Sequence, residues 1–122
     1  MEIARTRPQS MRGPAENFTG DVWLDAIVGD GPPESRTRAL SVHFTPGART
    51  AWHRHPLGQV LYVIEGEGLT QSRGGAVEAI RAGDTIRFDP DEEHWHGAAP
   101  STFMTHLALQ EVDDEGIPAY WG

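Results

Sequence analysis

His53-Arg-His55-Pro-Leu-Gly-Gln59, followed by His94 thirty-five residues beyond the glutamine, is the stretch on which the reading of this chain turns. On an extended strand, residues two apart point to the same face, so His53 and His55 present their imidazoles together. His94 and His96 repeat that spacing and share a second face. Only an interior lined by both strands brings the two faces together. Three neutral imidazoles, with an amide oxygen as fourth donor, suit a divalent metal and leave its full charge for whatever substrate binds there.

Outward from this stretch, short segments rich in β-branched and aromatic residues alternate with glycine and proline, as an all-β domain requires. The pattern predicts strands over Asp21–Ile27, Arg38–Phe44, Ala51–His55, Gln59–Ile64, Gly68–Gln71, Val77–Ile80, Thr85–Phe88, His94–His96 and Thr102–Gln110. Turns fall at Thr45-Pro-Gly47, Arg73-Gly-Gly75 and Arg81-Ala-Gly-Asp84, and helix signals are nearly absent. A sandwich or closed barrel fits this pattern. Gly29-Asp-Gly-Pro-Pro33 reads as a mobile surface loop. The ends before Pro14 and after Gln110 show no periodicity and are expected to be arms that pack on another subunit.

Strand alternation also sorts the last predicted strand. Thr102, Met104, His106, Ala108 and Gln110 share one face, which places His106 and Gln110 inward if Met104 and Ala108 are core. Leu40, Val42 and Phe44 form the apolar face of an earlier strand, with His43 turned outward. The expected cavity is a greasy cup with a polar floor. Trp52 and Trp95 flank candidate ligands but point away from them, toward packing or a subunit contact. Asp84 reads as a turn residue and Asp89-Pro-Asp-Glu-Glu93 as a solvated loop.

Length and composition bound the function. With 122 residues the chain makes one domain, 1–122, whose core spans about 14–110. Eighteen acidic against ten basic side chains leave a net charge of −8, which argues against a nucleic-acid partner. The longest apolar run is Val60-Leu-Tyr-Val-Ile64, and Met1–Arg7 lacks the apolar core of a signal peptide, so no membrane contact and a cytoplasmic location are expected. No cysteine is present, so disulfides and thiolate chemistry are excluded and any metal rests on nitrogen and oxygen donors.

The pattern Gly47-x5-His53-x-His55-x3-Gln59-x6-Gly66, then Gly83 and His94, resembles the two sequence motifs of the cupin superfamily. Sixteen residues separate Gly66 from Gly83, close to the minimum in small one-domain cupins. Gln59 stands where most cupins carry glutamate, Pro90 is displaced by one residue, and Ala98 replaces a usual asparagine. The resemblance implies a jelly-roll β-barrel. A closer likeness, from about Pro14 to Gln110, is to small bacterial cupins with hydroxynitrile lyase activity, which share the glutamine and phrases similar to Pro46-Gly-Ala-Arg-Thr-Ala-Trp-His53 and His94-Trp-His-Gly-Ala-Ala-Pro100. It implies that His53, His55, Gln59 and His94 bind manganese or another divalent ion. It further implies that His106 lies beside the metal as a base, and that Leu40, Val42 and Gln110 line the substrate pocket. Leu40 is bulky where the best-studied members of that family have a small residue. Pairing of such barrels implies a homodimer or a homotetramer, and four tryptophans suggest apolar surface to cover.

The chemistry follows from the donors. Cleaving a cyanohydrin requires loss of the hydroxyl proton while cyanide departs, which a Lewis acid at the hydroxyl oxygen assists. A neutral glutamine in place of glutamate strengthens that acid and disfavours oxygen chemistry. A neutral His106 can exchange the proton, and His96 can orient a ligand or hydrogen-bond the leaving cyanide. Two rivals keep the same cage: a metal-dependent oxygenase, and a non-catalytic module that binds a small ligand. Imidazole-rich sites suit iron, zinc and nickel as well as manganese.

Overall fold

The computed structural model describes residues 1–29 and 35–122. Apart from Gly29, the loop expected over Gly29–Pro33 therefore lies outside the described residues. Strands account for the regular structure, beginning with β1 (Met11–Arg12), β2 (Phe18–Thr19), β3 (Val22–Val28), β4 (Thr37–Phe44), β5 (Arg49–Thr50) and β6 (His53–Arg54). They continue with β7 (Gln59–Ser72), β8 (Glu78–Arg81), β9 (Thr85–Phe88), β10 (His94–Ala98), β11 (Met104–Glu111) and β12 (Tyr120–Trp121). The fold is all-β, and none of the described residues forms a helix long and apolar enough to cross a membrane.

Hydrogen bonds join the strands into one curled sheet in the order β1-β3-β4-β11-β7-β10-β5-β2, with β8 and β9 on β7, β6 on β10, and β12 on β6. The sheet curls because β7 serves both of its halves. Residues Gln59–Gly66 pair with β11, and Gly68–Ser72 pair with β10. Two separate strands were expected here, Gln59–Ile64 and Gly68–Gln71. They are one strand of 14 residues, because the glycines bend the ladder without ending it. Gly66 has φ +82°, and a Cβ there would stand 1.9 Å from the Phe103 carbonyl oxygen, so only glycine makes this corner. The β7–β11 register slips between Thr105 and His106, a bulge at the same corner.

Alternation then fills the interior. Val42 and Phe44 of β4, Met104 and Ala108 of β11, and Leu61 and Val63 of β7 point inward and are buried together with Val22, Ile80 and Phe88. Full burial of side chains of this size contributes about 1.5–3 kcal/mol each. His43 points outward, where its Nε2 lies 2.8 Å from Asp25 Oδ2. The register matches the sequence pattern closely, with Met104↔Phe44, His106↔Val42 and Ala108↔Leu40 across β11 and β4.

The ends join the sheet. β1 pairs with β3, and β12 pairs with β6, so both arms add strands to this chain's own sheet. The tryptophans are likewise largely used within the chain: Trp95 is buried, Arg73 lies 4.2 Å above the Trp52 ring, and Trp121 stacks on His53. The Asp89–Glu93 loop is more than a solvated bend, since Glu92 bonds Ser72 and the Asp89 amide, and Glu93 and Asp91 pair with Arg73 and Arg54.

Candidate active site

β6 and β10 lie antiparallel with His94 opposite His53, which brings the two histidine pairs predicted from alternation to one place. Each ring is aimed by a carbonyl. His53 Nδ1 donates to Ala51 O at 2.9 Å, His94 Nδ1 to Glu92 O at 2.8 Å, and His55 Nδ1 to Pro118 O at 2.9 Å. A carbonyl cannot donate, so the ring proton of each sits on Nδ1 and the Nε2 lone pair is left free. Donor atoms of His53, His94 and His96 all lie within 4.8 Å of one another, a grouping able to hold a metal ion. His55 Nε2 and His96 Nε2 are buried without a partner.

Gln59 completes the polar floor. Its amide nitrogen donates to Gln110 Oε1 at 3.1 Å, which directs Oε1 toward His94 Nε2, 3.2 Å away. Both atoms are acceptors, because His94 has its proton on the other nitrogen and Gln59 has turned its N–H groups away. Two facing lone pairs with no proton between them are a costly arrangement that a cation relieves. The donor set therefore fits a divalent metal.

Burial keeps these rings neutral. Desolvation, reinforced by neighbouring imidazoles, lowers His53 to about 3 and His94 to about 4, and it lowers His55 against the opposing pull of its bond to Pro118 O. His106, fully enclosed, falls to about 4 for the same reason, and His96 lies well below its ordinary value. His106 Nε2 and His96 Nδ1 are 3.0 Å apart and share one proton. At neutral pH the whole cluster is uncharged and available as ligands or proton acceptors.

A cavity of about 270 Å³ opens onto this floor. His53, His55, Gln59, His96, His106 and Gln110 form its polar side. Leu24, Leu40, Val42 and Ala108 line one apolar wall, and Pro118, Ala119 and Trp121 the other. His94 stands behind this lining, stacked flat on Phe88 with ring centroids 3.5 Å apart.

With the strand order, the histidine pairs and the cavity in hand, comparison with known proteins decides the family. The family described as the cupin domain matches residues 40–107. This chain is a cupin. A relative from Granulicella tundricola named (R)-mandelonitrile lyase is 55% identical over 112 residues, which span 91% of this chain and 85% of that protein. The crystal structure of a cupin-like protein from Thermotoga maritima is 36% identical with a TM-score of 0.85, covering 99% of this cupin and 89% of that chain. A predicted oxalate decarboxylase of the same organism shares the fold at 21% identity, with a TM-score of 0.77, over 89% of this chain and 96% of that one.

The candidate ligand, base and pocket residues lie at or beside this cavity. His53 and His94 stand in the tight group, which His96 joins, while His55 and Gln59 border it with lone pairs aimed inward. His106, Leu40, Val42 and Gln110 line the cavity. Sequence reasoning missed Pro118, Ala119 and Trp121 as a wall of the cupin pocket, along with the Glu92 and Ala51 carbonyls that aim His94 and His53. The carbonyls were findable in principle, since each lies two residues before its histidine. The wall carried no periodic signal.

Proposed function

We propose that this cupin is a metal-dependent lyase that cleaves cyanohydrins to an aldehyde and hydrogen cyanide, and catalyses the reverse addition. The facing acceptors His94 Nε2 and Gln59 Oε1, set at and just behind the polar side of a cavity with apolar walls, carry the reading. His53, His55, Gln59 and His94 are the proposed ligands, with His96 Nε2 beside them. Manganese is the proposed ion, and iron, zinc or nickel also suit these donors. When bound, the ion would supply a Lewis acid that makes a hydroxyl far more acidic, as metal ions do for bound water.

The remaining steps belong to the chain. Gln59, being neutral, does not offset the site's positive charge as a carboxylate would. The hydroxyl proton passes to His106, neutral at pH 7 and coupled through its bond to His96 Nδ1. The O–H electron pair becomes the second carbonyl bond, the carbon–carbon pair leaves with cyanide, and the proton returns to cyanide. Because burial makes His106 a weak base, it would take the proton readily only if a bound ion had made the hydroxyl acidic. Leu40 and Val42 hold the organic group, and Gln110, whose Oε1 is engaged by Gln59, keeps its own amide N–H groups for the substrate. The 55% identity to a protein named (R)-mandelonitrile lyase supports this substrate class.

The test is cyanide release from mandelonitrile by manganese-loaded protein. Release above the uncatalysed rate that disappears on chelation is expected. A loaded, folded protein that releases none overturns the proposal.

A further inference from the structure

His53 and His94 take their aiming carbonyls from two residues earlier in the chain, so those bonds persist while the local strand persists. His55 does not. Its Nδ1 donates to Pro118 O, 63 residues away, in a segment that belongs to none of the central strands. The same segment places Trp121 flat on His53, with ring centroids 4.4 Å apart and planes 25° apart, while Trp121 and His53 are ladder partners.

That segment is itself tied down. Asp113 Oδ1 accepts from the amides of Glu115 at 3.0 Å and Ile117 at 2.9 Å, and Asp113 Oδ2 accepts from the Tyr120 hydroxyl at 2.5 Å. The Asp113 amide donates to Ile117 O at 3.0 Å, which closes the turn. Arg54 lies 4.6 Å above the Tyr120 ring, and the Gly122 amide reaches Trp52 O at 3.0 Å. One carboxylate thus organises the turn that presents Pro118 O to His55.

We infer that Asp113–Gly122 is a positioning strap of the metal centre, latched by Asp113 and Tyr120, whose Pro118 carbonyl holds His55 in the tautomer with its Nε2 lone pair turned to the ion. The inference rests on the proposed ligand role of His55. A neutral imidazole carries its proton on either nitrogen, and with Nε2 protonated His55 has no lone pair to offer the ion from that atom. Loss of the carbonyl therefore costs ligand basicity and orientation without touching any ligand. Trp121 adds an aromatic cover that keeps the His53 ring in place. Asp113 and Tyr120 are positioning residues, and neither lines the cavity.

The experiment uses the full chain as Asp113→Ala and, as a milder change that keeps the fold, Tyr120→Phe. Imidazole nitrogen NMR of the metal-free proteins reads the tautomers, and titration with manganese or zinc alone reads the affinity. His55 in the unaltered protein should be protonated at Nδ1 only. In Asp113→Ala its two tautomers should mix while His94, with its local carbonyl, stays unchanged, and affinity should weaken about 10–100-fold. Tyr120→Phe should shift both readouts the same way by less. Unchanged His55 tautomer and affinity in both variants overturn the inference, as does mixing that affects His94 equally. An unaltered protein that binds neither metal overturns the metal reading itself, and that failure is recognisable because it precedes any substitution.

Discussion

Gln59 holds two positions in the site at once. Its amide nitrogen is spent on Gln110, which forces its oxygen toward His94 Nε2. A glutamate there would offer an oxygen of the same shape with a full negative charge. Gln59→Glu should bind manganese more tightly, yet cyanohydrin cleavage by the loaded protein should fall by ~10-fold or more, because the charge offsets the Lewis acidity. Steady-state rates alongside a metal titration check both halves, and faster cleavage would contradict the role of ligand charge. His106 lies in the same cavity but is bonded to His96 rather than aimed by a carbonyl. His106→Ala should retain metal by elemental analysis while turnover drops ~10²–10⁴-fold, the usual range for a lost proton acceptor. Retained turnover with metal bound would move the base to His96.

At the scale of elements, β7 is the member on which the curl depends. Its corner at Gly66 allows no side chain, since a Cβ would collide with the Phe103 carbonyl at a positive φ. Gly66→Ala should destabilise the fold by more than ~2 kcal/mol, combining backbone strain with a clash against main chain that cannot step aside. Thermal unfolding compared with Gly74→Ala, whose turn is open to solvent but also has a positive φ, separates the clash from the strain. The strands that carry the histidines make a second prediction. His53, His94 and His106 are lowered from 6.5 to about 3, 4 and 4, so the unfolded chain takes up protons first as pH falls. Their contribution to stability is complete above about pH 6.5 and is lost progressively down to about pH 3. Metal-free protein should melt several degrees lower at about pH 5 than at about pH 7, with the loss reduced in His106→Leu. A flat profile over that interval would show that the rings are not held neutral.

For the whole molecule, association stays a proposal that now rests on fewer residues. Trp52 and Trp95 are occupied within the chain, whereas Trp23 and Trp121 stay about 40% exposed, as do Tyr62, Ile64 and Leu109. Light scattering at concentrations on the order of tens of micromolar should give a dimer or tetramer of the 13.4 kDa chain, and a monomer would contradict the proposal. Much else was legible beforehand. The period-two spacing of His53 and His55, of His94 and His96, and of Met104, His106, Ala108 and Gln110 determined which side chains face inward, because alternation is a property of the extended backbone alone. The all-β class followed from the same alternation between turns of glycine and proline. The continuity of β7 through Gly66 was not legible, since a glycine in a strand reads equally as a stop or as a bend, and only the closeness of Phe103 decides between them. Nor was the bond from His55 to Pro118, or the cover of His53 by Trp121. Local sequence determines where a side chain points, but which distant carbonyl or ring it meets depends on how the curled sheet brings the last segment back across the site, and that is settled only when the whole chain packs.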